Sequence, residues 1–489
     1  MTMVRRLFII CWTAVLAGCA VGPNFKKPEP PKVDGYTSSP VTNIDAVTNI
    51  TGGEAQRFTE GADIAGDWWT LFHSQALNDL IARSLKANPN IKSAQAALQV
   101  ARETVLSQNG AYYPSVAGSF SAMRDKTSAA VSPNTFSGAL YYSFYTPQVA
   151  VSYTPDVFGL NRRTVESLNA QAEQQRFALA ATLITLSANV VSAVVNEASL
   201  RAQIAATTNL INVNTKALGI LRMQLAKGYS DRIDVAAQES QLAQLAATLP
   251  PLLKQLAQQR DALAVLVGSF PNQDPAETFD LSSLQLPQDL PLSLPSKLIE
   301  QRPDIRQAQE NMRSANALVG VAVANRIPNI TLTAAAGSTA LSIDKLFTSG
   351  TGFWGVGGTI TQPLFQGGTL LHKQRAAKAA YVQAAEQYRA AVLTAFQNVA
   401  DTLNALEQDG HALQTASDAE HAAKITLDLT QKQLQVGYIS YLTLIAAETA
   451  YQQAVLTLVQ AQSNRYADTA ALFVALGGGW WNSPDITKK

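Results

Sequence analysis

Carboxylates, histidines and cysteines are the residues of this sequence that could carry out chemistry, and the first two kinds are not arranged for it. Glu300, Asp304 and Glu310 have the spacing of a solvated helix face, and carboxylates without a pocket are weak evidence for catalysis. The four histidines are scattered, which argues against a metal site: His73, His372, His411 and His421. The sequence has no P-loop, Gly-x-Ser-x-Gly, His-Glu-x-x-His or Cys-x-x-Cys motif. We therefore predict no catalytic residue, no metal ligand and no enzyme activity.

Cys19 is the residue for which the sequence predicts covalent chemistry. Two arginines in Met1–Arg6 precede the apolar run Leu7–Ala17, which is shorter than the roughly 20 residues that span a bilayer. This pattern is typical of a signal peptide, here residues 1–18. Leu16-Ala17-Gly18-Cys19 resembles a bacterial lipobox, so we expect Cys19 to carry acyl chains such as palmitate, and no other cofactor. The alternative is an ordinary signal peptide with an incidental cysteine.

The residue after Cys19 bears on location. Ala20, and not an aspartate, follows the cysteine, which in a Gram-negative bacterium implies transfer to the outer membrane. Two or more acyl chains anchor a protein stably, whereas one gives only marginal binding. We therefore expect a lipid-anchored protein of the outer membrane.

Composition favours packed helices and excludes a nucleic-acid-binding protein. Charged residues make up 15% of the 489 residues, below the roughly 25% typical of soluble domains. Without residues 1–18, the 37 Lys+Arg fall to 35 against 36 Asp+Glu, so there is no positive patch for nucleic acid to recognise. The apolar residues are mainly Ala, Leu and Val, which suits helices in contact through small side chains.

The chain contains a tandem duplication. A shift of 209 residues superimposes the motif Gln-Leu-x-x-Gly-Tyr at 224–229 on the same motif at 433–438. A shift of 214 superimposes 88–91 on 302–305, and the sequence at 157–158 matches that at 364–365. Three such blocks in order indicate two copies of one unit. We expect a signal peptide at 1–18, a lipid-anchored arm at 19–67, a first repeat at 68–268, a proline-rich irregular connector at 269–295, a second repeat at 296–480 and a tail at 481–489.

Each copy is predicted to contain a helix, two strands, a long helix, a turn and a returning helix. The long helices are expected at 160–226 and 369–435, because neither range contains proline. A helix of this length spans roughly 100 Å. In the second, apolar residues recur at alternating steps of three and four, which is the pattern of a coiled-coil seam. The glycines at 228 and 437 are expected to start the turn into an antiparallel partner helix.

Four strands are predicted at about 114–123, 147–155, 328–340 and 353–362, with polar loops at 124–146 and 341–352. Apolar residues alternate with small polar ones in all four, which is typical of a transmembrane β-barrel; a water-soluble sheet over helices is the alternative. Four strands cannot close a barrel, and open edges are not tolerated in lipid. The chain should therefore oligomerise, and arithmetic permits a dimer, a trimer or a tetramer.

Several motifs together resemble the TolC family of outer-membrane efflux channels, in particular its lipid-anchored OprM-like branch, also called NodT. They are the lipobox, Asp67-Trp68-Trp69, Arg302-Pro303-Asp304-Ile305, Pro363-Leu364-Phe365-Gln366-Gly367-Gly368, the stretch 437–444 and Ala475-Leu476-Gly477-Gly478-Gly479-Trp480. The resemblance covers nearly all of 19–481. It implies a homotrimer in which four strands per chain complete a 12-stranded transmembrane β-barrel and the helices form a long periplasmic α-helical barrel.

The resemblance also implies partners and a mechanism. A periplasmic adaptor (membrane fusion) protein and an inner-membrane pump, often of the resistance-nodulation-division type, would complete the efflux system. The chain would then passively conduct drugs and other small toxic compounds to the outside, a route to antibiotic resistance. The alternatives are a structural coiled-coil outer-membrane lipoprotein, and the same channel serving metal-ion or protein export.

In this family the gate lies where the helical hairpins converge, which corresponds to 228–234 and 437–446. Rings of charge and hydrophobic constrictions gate many channels, so the gate candidates are Asp231, Arg232, Asp234, Tyr441 and Leu442. Leu442 matches a position where family members have a constricting leucine. Ala446 stands where they commonly have an aspartate, so cation selectivity would rest on Asp234 or weaken. The alternative is that these charges solvate an exposed helical turn.

Four residues are predicted to make the hairpin turns: Gly228, Tyr229, Gly437 and Tyr438. A glycine supplies the positive φ that many helix C-termini need, and the tyrosines could pack against a neighbouring hairpin. By the resemblance, these turns are also the surface to which the adaptor docks.

Overall fold

The computed structural model describes residues 20–38, 43–128 and 141–483. The predicted signal peptide, Cys19 and residues 484–489 of the predicted tail lie outside these ranges. The helices are α1 (Gln75–Ala87), α2 (Pro89–Asn109), α3 (Leu160–Ala226), α4 (Arg232–Ala247), α5 (Leu249–Leu266), α6 (Pro295–Gln301), α7 (Pro303–Ala324), α8 (Thr369–Gln435) and α9 (Tyr441–Ala475). The strands are β1 (Arg57–Glu60), β2 (Ser115–Lys126), β3 (Tyr141–Tyr153), β4 (Asp289–Leu292), β5 (Asn329–Ser338) and β6 (Gly352–Thr361).

The chain divides into two compact units. As far as they are described, Met1–Pro28, Ala97–Gln175 and Ala308–Tyr388 form the first unit. Glu29–Ala96, Arg176–Gln307 and Arg389–Lys489 form the second. Both 67-residue helices, α3 and α8, belong partly to each unit.

The first unit contains a four-stranded antiparallel sheet in the order β2-β3-β5-β6. Directly opposed residues of neighbouring strands share a face of a sheet, and in this register one face is apolar across all four strands. Val116 lies opposite Val151, which lies opposite Ala334, which lies opposite Val356. The other face carries small and polar residues such as Ser119, opposite Gln148. The alternation in the sequence thus gives one continuous apolar face.

The loop between β2 and β3 is shorter than the sequence predicted. The prediction placed residues 124–146 in a loop, but β2 continues to Lys126 and β3 begins at Tyr141. Phe144 pairs with Met123, and Tyr141 with Lys126, whose ammonium lies 5.1 Å from the ring centroid. Aromatic residues favour strands. The aromatic residues at the start of β3 pair with the polar residues at the end of β2, so those residues are part of the strand as well. Both strands are therefore longer at the loop end than the sequence predicts.

The segment that follows residue 19 is fastened to the first unit. The buried side chain of Arg163 donates hydrogen bonds to the carbonyl oxygen of Val21 (3.1 Å) and to the side-chain oxygen of Asn24 (2.8 Å). A Cβ atom at Gly159 would lie only 2.6 Å from the Cβ atom of Ala20, so glycine is required at this junction between β3 and α3. The chain is therefore held against the end of a sheet strand from its first described residue.

The second unit joins the N-terminal arm to the connector. The arm contains β1 and the connector contains β4, and the two pair in parallel, so the connector is less irregular than predicted. Each strand has four residues, too few for a periodic pattern to be visible in the sequence. Nearby, the ring of Trp68 stacks on Phe473 with centroids 5.2 Å apart. The rings of Phe177 and Trp480 are nearly perpendicular, with centroids 5.5 Å apart.

The returning helices of the two repeats differ. The helix of the second repeat, α9, is continuous over 35 residues, whereas that of the first is divided at Thr248 into α4 and α5. Pro250 and Pro251 follow Thr248; they lack the N–H group that would continue the helical hydrogen bonds. An 18-residue stretch of α3 is apolar enough to cross a bilayer, but 56% of it is buried within the chain, as in the core helix of a packed bundle.

Candidate functional site at the helical hairpins

The two hairpin turns have the same backbone structure. Gly228 and Gly437 adopt φ values of +78° and +77°, a conformation that favours glycine. In each turn the glycine N–H donates to the carbonyl three residues earlier at 3.0 Å, and the following tyrosine N–H donates to the carbonyl five residues earlier at 2.9 Å. The tyrosine side chains, Tyr229 and Tyr438, are 81% and 85% exposed. Each turn therefore ends its long helix and presents an aromatic ring to the outside of the chain.

The predicted polar gate residues of the first hairpin begin α4. Asp231 is the N-cap, and its carboxylate accepts a hydrogen bond from the Ile233 N–H at 3.4 Å. Asp234 lies in the first turn of the helix and accepts from the Ser230 hydroxyl at 3.2 Å. Negative charge at a helix N-terminus is stabilising. Both carboxylates therefore have a role in starting this helix, and Arg232 between them is exposed.

The second hairpin places its two predicted gate residues differently. Tyr441 is 7% exposed and packs in an apolar cluster that includes Leu221, Val235 and Leu444. Leu442 is 64% exposed. Burial raises the pKa of the Tyr441 hydroxyl, and the carboxyl groups of Glu448 and Asp234 add to this effect. The structure thus brings Tyr441 near Asp234 and leaves Leu442 on the surface.

A cavity of about 650 Å³ lies between the two hairpins. We call it the hairpin groove. Residues of α3, α8 and α9, of the start of α4 and of both turns line it, including Ile220, Leu434, Leu444, Asp234, Tyr441 and Glu448. Of the predicted site residues, Tyr229, Asp234, Gly437 and Tyr441 contribute to this lining. The groove thus extends from the two turns to buried residues between the hairpins.

A buried polar cluster beside the groove was not predicted. The Gln238 side chain donates to the Asn214 side-chain oxygen at 2.8 Å, and Asn214 is in turn hydrogen-bonded to the Glu448 carboxylate. The three residues are buried, and burial raises the pKa of the Glu448 carboxyl to about 7. The sequence signal was an isolated acid within the apolar helix α9. The duplication hid this signal. Glu239 matches Glu448 in the other repeat, but it is exposed and forms a 2.7 Å ion pair with Arg222.

Comparison with known proteins identifies the family. The sequence model of the family described as outer membrane efflux protein matches residues 80–269 and 294–478. The chain belongs to this family. The two matched stretches lie on either side of β4, and together they cover most of both repeats of this outer membrane efflux protein.

Curated relatives match over almost the whole chain. The toluene efflux pump outer membrane protein TtgC of Pseudomonas putida is 28% identical, over 98% of this chain and 96% of the relative. The cation efflux system protein CusC of Escherichia coli is 27% identical, over 97% and 99%. Among solved structures, the outer membrane protein VceC of Vibrio cholerae superimposes with a TM-score of 0.78 at 26% identity, over 85% of this chain and all of that one.

These matches establish the class of the protein. It is an outer membrane efflux protein of the TolC family, a family of channel-forming components of efflux systems. Its fold, with strands for the outer membrane and long helices that extend into the periplasm, is the fold of these channels. The hairpin turns and the groove are therefore features of a channel component.

Proposed function

We propose that this chain is the lipid-anchored outer-membrane duct of a tripartite pump, and that it works as a homotrimer. By family resemblance, a periplasmic adaptor and an inner-membrane pump of the resistance-nodulation-division type would supply the substrate and the energy. The duct would conduct small toxic compounds passively. The observation that carries this proposal is the four-stranded sheet with one apolar face and two open edges.

The edges of the sheet support closure between copies. The edge strands β2 and β6 are exposed along almost their whole length, whereas the inner strand β3 is largely half-buried. Unpaired strand edges do not persist in hydrocarbon, and the smallest transmembrane barrels have about eight strands. Since β2 and β6 run in opposite directions, β6 of one copy can pair with β2 of the next in an antiparallel barrel. Three copies would supply twelve strands.

The start of the described chain supports the lipid anchor. Ala20 packs against Gly159 at the junction of β3 and α3, and Cys19 is the preceding residue. Acyl chains on Cys19 would thus enter the bilayer close to the periplasmic end of a membrane strand. Labelling with radioactive palmitate tests this part of the proposal: the native chain should take up label and Cys19→Ser should take up none. Equal labelling of both chains would contradict the anchor.

The exposed turns support docking of the adaptor. Tyr229 and Tyr438 project from turns of the same geometry, so the two hairpins of each copy offer similar surfaces. The gate would be formed at the same end by repetition of Asp231, Arg232, Asp234, Tyr441 and Leu442 around the trimer axis. In this arrangement, Leu442 supplies an apolar constriction and Asp234 the acidic group that Ala446 does not provide.

The relatives indicate the chemical class of the substrate and not its identity. TtgC is named for toluene efflux and CusC for cation efflux. We favour small toxic amphiphiles, since the lipid-anchored branch that the sequence resembles exports such compounds. Metal-ion export by the same duct is the second candidate, supported by the match to CusC over 97% of this chain.

Cross-linking of the sheet edges tests the trimer. Gly118→Cys in β2 and Gly358→Cys in β6 would place a thiol at each edge of one chain, and the native cysteines are only Cys11 and Cys19. A bismaleimide should give a ladder that ends at three chains. Chains with either cysteine alone are the matched control and should give no ladder. A ladder ending at two or four chains would contradict the trimer.

Conductance tests the duct. The protein purified from outer membranes should give small, flickering single-channel currents in a planar bilayer, and Asp234→Ala should increase the conductance. Asp261→Ala, an exposed acid on α5 away from the turns, is the control and should leave the currents unchanged. A monomer that never conducts, even after Asp234→Ala, would favour the structural lipoprotein instead.

A further inference from the structure

The hairpin groove contains buried oxygen atoms that accept no hydrogen bond. Tyr441 and Glu448 line it and are 7% and 4% exposed, and the Tyr441 hydroxyl and one carboxylate oxygen of Glu448 have no hydrogen-bond partner among the described residues. The side-chain oxygen of Gln238, in the adjoining cluster, has none either. Burying such atoms without a partner destabilises a protein. A ligand that brings donors to these oxygens would therefore bind favourably.

One part of the groove wall is apolar. Ile220 and Leu221 of α3, Leu434 of α8 and Leu444 of α9 line the cavity. Its volume of about 650 Å³ lies within the roughly 300–1,000 Å³ of pockets that hold small organic ligands. Such a cavity suits a ligand with an apolar body and one polar end.

The charge of the groove determines which charge the polar group of the ligand should have. Glu448 on α9 and Asp234 at the start of α4 supply two carboxyl groups, and Tyr441 a hydroxyl. The part of α8 that lines the groove contributes the neutral side chains Gln431 and Gln435, while Lys216 on α3 is exposed at the rim. The buried end is therefore acidic and rich in acceptors. An ammonium group has three donors and no acceptor, so its chemistry matches this set.

We propose that the hairpin groove binds a small hydrophobic amine, with its ammonium group donating to Glu448 and Tyr441 and its apolar body packed against Ile220, Leu434 and Leu444. This site lies within the wall of one chain, between its two hairpins. The inference therefore goes beyond conduction and does not depend on it. An amine held there would contact α3, α8 and α9 together.

Binding of this kind depends on pH. Burial raises the pKa of the Glu448 carboxyl to about 7, so this group is largely protonated at pH 6 and largely ionised at pH 8. Asp234 and Tyr441 face it from the same groove, and Lys216 lies at the rim. The ammonium of the ligand, like that of lysine, keeps its proton throughout this range. The affinity should therefore rise as the pH increases from 6 to 8.

Calorimetry on the full-length protein in lipid nanodiscs tests the proposal with 1-naphthylmethylamine and its neutral analogue 1-naphthylmethanol. At pH 8 the amine should bind at least tenfold more tightly than the alcohol, and its affinity should fall about tenfold at pH 6. Glu448→Gln, which keeps the shape of the side chain, should weaken amine binding at least tenfold and remove the pH dependence. Glu239→Gln is the matched control from the other repeat and should bind as the native protein does.

Two results would overturn the inference. The first is equal affinity of the native protein for the amine and the alcohol, which would show that apolar contact alone drives binding. The second is amine binding that Glu448→Gln leaves unchanged. If Glu448→Gln fails to assemble, the native protein still decides the matter, because an amine affinity that is constant between pH 6 and 8 excludes Glu448 as the binding group.

Discussion

The Arg465 side chain donates a hydrogen bond to the backbone carbonyl of Gly52 at 3.0 Å, and this contact fastens the N-terminal arm to α9. Arg465 is fully buried and also donates to the carbonyl oxygen of Glu54 and to the Gln56 side chain. Its planar guanidinium reaches several acceptors at once, which a lysine ammonium on a flexible stem does not match. The arm is thus held by backbone recognition as well as by apolar packing.

Removal of this guanidinium should destabilise the protein. We expect Arg465→Met to lower the free energy of unfolding by about 3–5 kcal/mol, because several buried carbonyl groups would lose their donor. Thermal unfolding of the purified protein measures the change. Arg57→Met is the control: its ion pair with Asp289 is 66% exposed on both sides, so its loss should cost less than about 1 kcal/mol. Equal losses in both variants would contradict the role of Arg465.

Asp409 should make stability depend on pH. Burial and the adjacent carboxyl of Asp468 raise the pKa of the Asp409 carboxyl to about 7, against an opposing effect of Arg465. A raised pKa means that the folded state holds the proton more tightly than the unfolded state. The contribution is therefore complete below about pH 4 and is lost as the pH rises through 7. Stability should fall between pH 5 and pH 8.

The variant Asp409→Asn should remove this contribution. Its melting temperature should match that of the native protein below about pH 4 and exceed it by about 2–4 °C at pH 8, because an amide cannot ionise beside Asp468. Asp418→Asn, an exposed site on the same helix, should have no pH-dependent effect. A variant that melts below the native protein at pH 8 would show that the ionised carboxylate is stabilising.

Much of the fold can be predicted from local sequence patterns. The absence of proline and the seam of residues three and four apart indicate long helices, and α3 and α8 span Leu160–Ala226 and Thr369–Gln435. The alternation of apolar and polar residues predicts which side chains share a face of the sheet, and residues such as Val116 and Val356 do lie on one apolar face. These features depend on neighbours along the chain, so the sequence alone contains them.

Other features depend on contacts between distant segments and were missed. The start of β3 at Tyr141 is set by pairing with the polar end of β2, and β1 is a strand only because β4 lies beside it. Likewise, Glu448 and the exposed Glu239 occupy matching positions of the two repeats, so the duplication does not show which of them is buried; the burial of Glu448 arises from packing against Asn214 of another helix. The turn glycines could be located from the duplication, whereas the polar interior of the groove could not.

The two faces of β2 should respond in opposite ways to a charge. Phe120 lies on the apolar face of the sheet and Ser119 on the other. A lysine on a lipid-facing strand position costs about 2–4 kcal/mol near the bilayer centre, so Phe120→Lys should prevent assembly in the outer membrane. Ser119→Lys should assemble and reduce the conductance for cations. Membrane fractionation measures assembly and bilayer recordings measure the conductance. If Phe120→Lys assembled and Ser119→Lys did not, the two faces of the sheet would be assigned the wrong way round.

Two glycines of the long hairpins should respond in opposite ways to substitution by alanine. Gly437 adopts φ +77° at the end of α8, where an alanine is strained, so Gly437→Ala should destabilise the hairpin by about 1 kcal/mol. Gly219 lies within α3, and a Cβ atom there would meet no other atom within 4 Å. Gly219→Ala should therefore stabilise the protein by about 1 kcal/mol, because alanine is the better helix former. Thermal unfolding of the two single variants should show shifts of opposite sign, and a gain from Gly437→Ala would mean that the turn can adopt another backbone conformation.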